Sequence, residues 1–273
     1  MRAKKNLGQN FLVDANVAAR ILREFGPRAG ETVVEIGPGR GALTVRLVEQ
    51  VGRLVAVELD RELIPALSEK FATRENFVLL EADALHVDLC EAIAPARTAR
   101  VIANLPYYIS TAILQRLIEQ RSCLTEMVLM LQREVVERIT ARAGERERGY
   151  LSVLVENYCE TETLFDVAPG AFRPAPKVWS AVVRLRVRSR PAIETEDEAL
   201  LWRIVSAGFA HRRKTIFNNL RHAPDELREL IELGGGAGAL LERADVEAQR
   251  RAETLTLADW AGITRAARFN AFE

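Results

Sequence analysis

Apolar and polar positions change rhythm part-way along this 273-residue chain. Up to Leu131, short apolar runs rich in β-branched residues alternate with helical patterns. Thr32–Ile36 predicts a first strand, Arg53–Val57 a second, Phe77–Leu80 a third, Arg100–Ala103 a fourth and Met127–Leu131 a fifth. Between them, Gly41–Gln50, Arg61–Ala72 and Thr111–Glu119 carry apolar residues at three-to-four spacing, the stripe an amphipathic helix needs. Strands recurring roughly every 20 to 27 residues leave room for one crossover helix each. That rhythm predicts an α/β domain with a parallel sheet and helices on both faces.

After the fifth strand the period changes. Glu134–Arg142 and Leu151–Tyr158 read as helices on either side of a charged turn, Gly144–Gly149. Thr163–Val167 and Ser180–Val187 alternate as an antiparallel pair does, which closes the sheet with a reversed hairpin. Ser189-Arg190-Pro191 reads as a linker. Beyond it only helical patterns follow: Glu196–Ala210, Arg213–Arg221, Asp225–Glu232 and a last segment around Leu257–Ala267. Gly234–Gly238 lacks a following Lys-Ser/Thr and follows no strand, so it predicts a flexible interhelical loop, not a phosphate loop. The expected organisation is an α/β domain over 1–188 and a small all-helical domain over 189–273.

Composition narrows the function classes. Hydrophobic residues make up 48%, enough for a packed core. Basic and acidic residues balance at 38 each, so RNA can be bound only through a local basic surface. Cys90, Cys123 and Cys159 are odd in number and lack Cys-x-x-Cys spacing. They fit a reducing compartment and argue against a disulfide framework or a zinc site. His86, His211 and His222 show no metal spacing, so no metal is expected. No apolar run approaches the roughly 20 residues that span a bilayer. The basic start, Met1–Lys5, is not followed by a signal-peptide core. The expected location is the cytoplasm.

The candidate chemistry begins at Glu35-Ile36-Gly37-Pro38-Gly39-Arg40-Gly41, between the first strand and the first helix. Glycines there permit a tight turn and close approach of a ligand. Nicotinamide and flavin enzymes use a similar turn. Three details favour S-adenosylmethionine instead. The glycines are spaced one and one; Pro38 removes an N–H a pyrophosphate would want; and Glu35 places an acid beside a cationic ligand. Glu58, after the second strand, can accept both ribose hydroxyls, and Asp83, after the third, can accept from an adenine amine. The alternative for either acid is a solvated loop carboxylate.

Asn104-Leu105-Pro106-Tyr107 follows the fourth strand. An adenine N6 amine is a poor nucleophile because its lone pair is delocalised into the ring. Accepting its hydrogens on the Asn104 side-chain oxygen and the Leu105 carbonyl favours a pyramidal nitrogen. Pro106 fixes the backbone that turns the carbonyl inward, and Tyr107 offers a flat face to a base taken out of its stack. The bland alternative is an ordinary strand-to-helix turn.

With these motifs in place, the chain resembles the bacterial small-subunit (16S) ribosomal RNA adenine N6,N6-dimethyltransferases that confer kasugamycin sensitivity. The likeness starts at Lys4-Lys5-Asn6-Leu7-Gly8-Gln9-Asn10-Phe11-Leu12 and runs through the glycine turn, Glu58, Asp83 and Asn104-Leu105-Pro106-Tyr107-Tyr108-Ile109-Ser110. It returns at Phe172-Arg173-Pro174-Ala175-Pro176-Lys177-Val178 and at Arg212–Leu220. The resemblance implies a Rossmann-like S-adenosylmethionine-dependent methyltransferase sheet with a helical C-terminal domain. It implies that Asn10, Leu12, Gly37, Glu58, Asp83 and Asn104 line the cofactor site. It also implies that Phe172 shares with Tyr107 the stacking of the target adenine. The implied substrate is a pair of adjacent adenosines in the 3′-terminal hairpin loop of 16S rRNA, within a small ribosomal subunit or its late precursor.

One departure stands out: the family usually has Asp in Pro-Lys-Val-Asp-Ser, where this chain has Trp179. Trp cannot replace a carboxylate in a hydrogen-bond network, so the loop bearing Phe172 is the expected place for rearrangement. Arg212, Arg213 and Lys214 form a compact positive cluster, expected to contact RNA, with Lys4, Lys5 and Arg2 extending it; the alternative is a solvated helix end. Competing functions are a large-subunit (23S) rRNA adenine methyltransferase of the macrolide-resistance type and a mainly non-catalytic assembly checkpoint. A DNA adenine methyltransferase is disfavoured, since those usually carry an acid where Asn104 stands. A monomer is expected.

Overall fold

The computed structural model describes residues 8–268. The chain divides into two units. One comprises the chain up to Val136 together with Cys159–Val187; the other comprises Glu137–Tyr158 together with the chain from Arg188 onward.

Among the described residues, the first unit holds all the strands: β1 (Phe11–Leu12), β2 (Thr32–Ile36), β3 (Arg53–Glu58), β4 (Phe77–Glu81), β5 (Ala99–Asn104), β6 (Leu124–Gln132), β7 (Cys159–Val167), β8 (Phe172–Arg173) and β9 (Ser180–Val187). Its helices are α1 (Ala15–Phe25), α2 (Thr44–Leu47), α3 (Ile64–Lys70), α4 (Leu89–Ala92) and α5 (Ser110–Glu119). Seven strands form one sheet in the order β4-β3-β2-β5-β6-β9-β7. The first five are parallel, and β9 runs antiparallel to both its neighbours. This is the sheet the apolar rhythm predicts. Val33, Val34, Leu54, Val55, Val101 and Ile102 have no accessible surface. Such continuous apolar runs suit strands covered on both faces.

Helix α1 is absent from the sequence expectations, yet it is well specified. The Asp14 carboxylate accepts from the Asn16 and Val17 amides at its start, and Gly26 ends it in the left-handed region. Ile21, Leu22 and Phe25 bury its apolar face in the core of the unit. The helix expected over Gly41–Gln50 condenses to the four residues of α2.

The second unit contains the end of α6 (Arg133–Thr140), then α7 (Tyr150–Tyr158), α8 (Glu198–Gly208), α9 (Ile216–Arg221), α10 (Asp225–Leu233), α11 (Gly236–Arg243) and α12 (Leu257–Arg268). Its core gathers Leu201, Ile204, Val205, Leu255 and Trp260, all without accessible surface. Val153 of α7 joins that core. The expected domain division at 188/189 therefore differs over Glu137–Tyr158, because this segment buries its apolar face among the C-terminal helices.

Two expectations need correction. Gly234–Gly238 is not wholly a loop: α11 begins at Gly236. Ala237, Leu240 and Leu241 find burial, which outweighs the roughly 1 kcal/mol helix cost of each glycine. Cys90 and Cys123 form a disulfide, against the expectation of three free thiols, and Cys159 is buried and free. The paired cysteines are 33 positions apart, so no local spacing announces them; the fold brings the turn before β6 against α4.

Candidate active site

The strand order reverses between β2 and β5, which are neighbours although β3 and β4 lie between them in sequence. In open α/β sheets a crevice forms at such a point, outside the carboxyl ends of the strands. A cavity lies there. Its wall includes Asn10, Leu12, Gly37, Glu58, Asp83, Asn104, Leu105, Pro106 and Tyr107. Residues predicted from separate motifs thus meet, because each ends a parallel strand or, at Asn10 and Leu12, belongs to a segment laid across those ends.

The glycine turn is braced from inside the molecule. The Gly37 amide donates to the Val57 carbonyl at 2.9 Å, and the Gly41 amide to Pro38 at 2.8 Å. Gly39 is left-handed (φ 58°), and a Cβ there would stand 3.2 Å from the Phe11 ring. The Glu58 Oε2 accepts from the Gly39 amide at 3.1 Å and Oε1 from the Asp60 amide at 2.9 Å. Glu58 therefore shapes the turn as well as facing the cavity. Each carboxylate oxygen retains a second lone pair, so acceptance from a diol remains open to it. Burial raises its carboxyl above the usual range, and the Asp60 and Gly39 amides pull it back.

Glu35 is 2% exposed, and its Oε2 has no hydrogen-bond partner among the described residues. Burial pushes this carboxyl up to about 8. An unpartnered buried oxygen on the cavity wall suits a cationic group. Asp83 is more open, and its Oδ1 accepts from the Leu85 amide at 2.9 Å. A nucleoside carrying a charged methionine moiety fits this donor and acceptor set. The glycine turn would admit it closely, Glu58 and Asp83 stand at consecutive strand ends, and Glu35 would meet its charge.

On the same cavity wall, Asn104 Nδ2 donates to the Asn10 carbonyl at 3.2 Å. That leaves Oδ1 as the group able to accept an amine hydrogen. The Leu105 amide donates to the Met130 carbonyl at 3.1 Å, tying the turn to β6. The Tyr107 hydroxyl lies 2.6 Å from Ser180 Oγ, and burial raises the phenol, which stays neutral. Sequence reasoning did not foresee Ser180 or the bond from Gln9 Nε2 to Asp60 Oδ2 at 2.7 Å. Gln9 lies within a segment the resemblance marks, but no local pattern names its partner.

The family profile for ribosomal RNA adenine dimethylase matches residues 1–262. The chain belongs to that family. It is 44% identical over 262 residues to ribosomal RNA small subunit methyltransferase A of Hahella chejuensis, covering 96% of this chain and 92% of that protein. Identity is 45% over 263 residues to the protein of the same name in Aromatoleum aromaticum, covering 96% and 93%. The crystal structure of a dimethyladenosine transferase from Plasmodium falciparum shares the fold, with a TM-score of 0.79 at 22% identity over 96% of this chain and 98% of that one. The 23S rRNA methyltransferase ErmE has a TM-score of 0.69 at 27% identity over 95% and 100%. The sheet is thus the Rossmann-like one of S-adenosylmethionine-dependent methyltransferases, followed by a helical C-terminal unit. The enzyme is an S-adenosylmethionine-dependent rRNA adenine dimethyltransferase, as membership of the dimethylase family entails.

Not every residue expected of a dimethylase site reaches the cavity. Phe172, expected to stack beside Tyr107, has no accessible surface and belongs to the core. Strand β8 pairs with β1 so that Phe172 faces Leu12, and this register turns the ring inward. Trp179, where the family usually has Asp, is half exposed. Its carbonyl accepts from the Arg133 amide at 3.0 Å, and the next residue, Ser180, pairs with Gln132. Arg212, Arg213 and Lys214 are exposed between α8 and α9 in the second unit, and the Arg212 guanidinium donates to the Arg146 carbonyl. Arg2, Lys4 and Lys5 lie outside the described residues. Among those described, no cluster of His, Cys, Asp and Glu could hold a metal, and no helix is long and apolar enough to cross a membrane.

Proposed function

We propose that this enzyme dimethylates N6 of two adjacent adenosines in the 3′-terminal hairpin loop of 16S rRNA, within a small subunit or its late precursor, in the cytoplasm and as a monomer. The observation that carries the reading is Asn104 at the end of β5, on the cavity wall with Tyr107, its Nδ2 taken up by the Asn10 carbonyl so that Oδ1 is the end left to accept. The names of the bacterial relatives, small subunit methyltransferases at 44–45% identity, support the choice of subunit.

Asn10, Leu12, Gly37, Glu58, Asp83 and Asn104 would hold S-adenosylmethionine, which supplies the methyl group. Glu58 accepts from the ribose, Asp83 from the adenine amine, and Glu35 balances the positive charge. Asn104 Oδ1 and the Leu105 carbonyl take the two hydrogens of the target amine and direct its lone pair. Pro106 holds that turn, and Tyr107 carries the flipped base. The methylated nitrogen becomes acidic and loses its proton to water, so no strong base is required. Orientation and preorganised dipoles supply the rate. Arg212, Arg213 and Lys214, with Lys4 and Lys5, meet phosphates.

The test is transfer from labelled S-adenosylmethionine to small subunits of a strain lacking the modification, followed by nucleoside mass spectrometry. N6,N6-dimethyladenosine at two adjacent loop positions supports the proposal. Methylation confined to large-subunit RNA would place the chain with the enzyme type whose fold it shares at 27% identity. Binding without transfer would leave an assembly checkpoint.

A further inference from the structure

We propose that Ser180 is a positioning residue for methyl transfer: its hydroxyl anchors the Tyr107 ring to the sheet and so sets the plane on which the target base rests. This rests on the reading of Tyr107 as the platform for that base.

The inference follows from the one reversed strand. Because β9 runs antiparallel to β6, its first residue lies beside the last residue of β6, Gln132. The start of β9 therefore reaches the same edge of the sheet as Asn104, at the end of β5. Ser180 is clamped there from both sides, paired with Gln132 on β6 and with Val167 on β7. It has no accessible surface.

Tyr107 is in the opposite situation. It stands in the turn between β5 and α5, partly exposed on the cavity wall. The Leu105 amide ties the start of its turn to β6, but the bonds on either side of the Tyr107 ring are local: the Ile109 amide donates to Pro106, and Ser110 Oγ donates to the Tyr107 carbonyl. Neither restrains the ring. A phenol rotates about two side-chain torsions, and a freely rotating platform would have to be ordered each time a base arrived. The 2.6 Å contact to Ser180 Oγ links the far end of the ring to a backbone held in two ladders. A phenol is protonated at neutral pH, and burial raises it further, so the contact persists through the neutral range.

Ser180 touches neither base nor cofactor; it acts through Tyr107. Its loss should slow transfer by misaligning the amine, not by weakening cofactor binding. The experiment is a double-mutant cycle on the full chain. Single-turnover methyl transfer to unmethylated small subunits is measured for wild type, Ser180→Ala, Tyr107→Phe and the double variant. Each single variant should be slower by about tenfold, the worth of one net hydrogen bond. The double variant should be no slower than either single one, and cofactor affinity by calorimetry should not move. An unchanged rate in either single variant overturns the proposal, as do effects that multiply in the double variant. Should Ser180→Ala fail to fold, Tyr107→Phe removes the same bond from the exposed side, and an unchanged rate there overturns it equally. Inactivity of the wild type on small subunits would instead refute the substrate reading.

Discussion

The Asn104 side-chain amide donates to the main-chain carbonyl of Asn10, 94 positions earlier in the chain. One bond thereby joins the turn after β5 to the N-terminal segment that lines the same cavity. It also takes up Nδ2 and leaves Oδ1 as the end of the amide able to accept. Asn104→Ala should cut methyl transfer by about 100-fold or more, the usual cost of deleting a preorganised polar group at a reacting atom. Subunit binding by filter retention should stay close to wild type. Loss of binding in a folded variant would show that Asn104 serves docking as well as chemistry.

Glu58 has two duties, since it accepts from the Gly39 and Asp60 amides while facing the cavity. Glu58→Ala should raise the cofactor Kd by about tenfold or more, with each charged hydrogen bond worth roughly 1.5–3 kcal/mol. Glu58→Gln keeps one acceptor oxygen and should fall between. Isothermal calorimetry decides: equal affinity for all three removes Glu58 from the cofactor site.

Glu35 makes stability depend on pH. Its folded-state carboxyl, pushed up to about 8, lies above the 4.5 expected when unfolded. Its contribution is complete below pH 4.5 and is lost as pH rises through 8. Between those values the unfolded chain has released a proton that the folded chain retains, so stability falls with rising pH, by at most about 1.4 kcal/mol per unit. Glu58, raised in the same direction, adds to the slope. Glu35→Gln should flatten it, which thermal melts of the unliganded enzyme at about pH 6 and about pH 8 will reveal. Parallel shifts for wild type and variant would mean Glu35 ionises normally. Binding of a cation beside Glu35 should release a proton, visible as a buffer-dependent heat.

Arg213 and Lys214 are exposed on the second unit, and Arg212 is tied to the Arg146 carbonyl. Replacing all three by Glu should weaken subunit binding and flatten its salt dependence, by about 0.7–0.9 in log–log slope for each phosphate left without its cation. An unchanged slope would leave the cluster as a solvated turn.

The residues that line the cavity were largely legible without coordinates. Gly37, Glu58, Asp83 and Asn104 each sit at or just beyond a strand end, and strand ends are written locally, in apolar runs that stop at a glycine or a polar residue. A parallel sheet then brings consecutive strand ends to one edge, so identifying the strands already gathers these residues. Partnerships were a different matter. Nothing near Tyr107 names Ser180, and nothing near Gln9 names Asp60; both pairs depend on which strands lie side by side. The inward turn of Phe172 depends on the register of β8 against β1, where a slip of one residue would face it outward. The Cys90–Cys123 bond and the helix begun at Gly236 likewise arise from distant packing. Local sequence thus carries the elements and their chemistry, because period and residue type are properties of neighbours. Pairing, register and burial are set between segments far apart in the chain, and they alone aim the side chains.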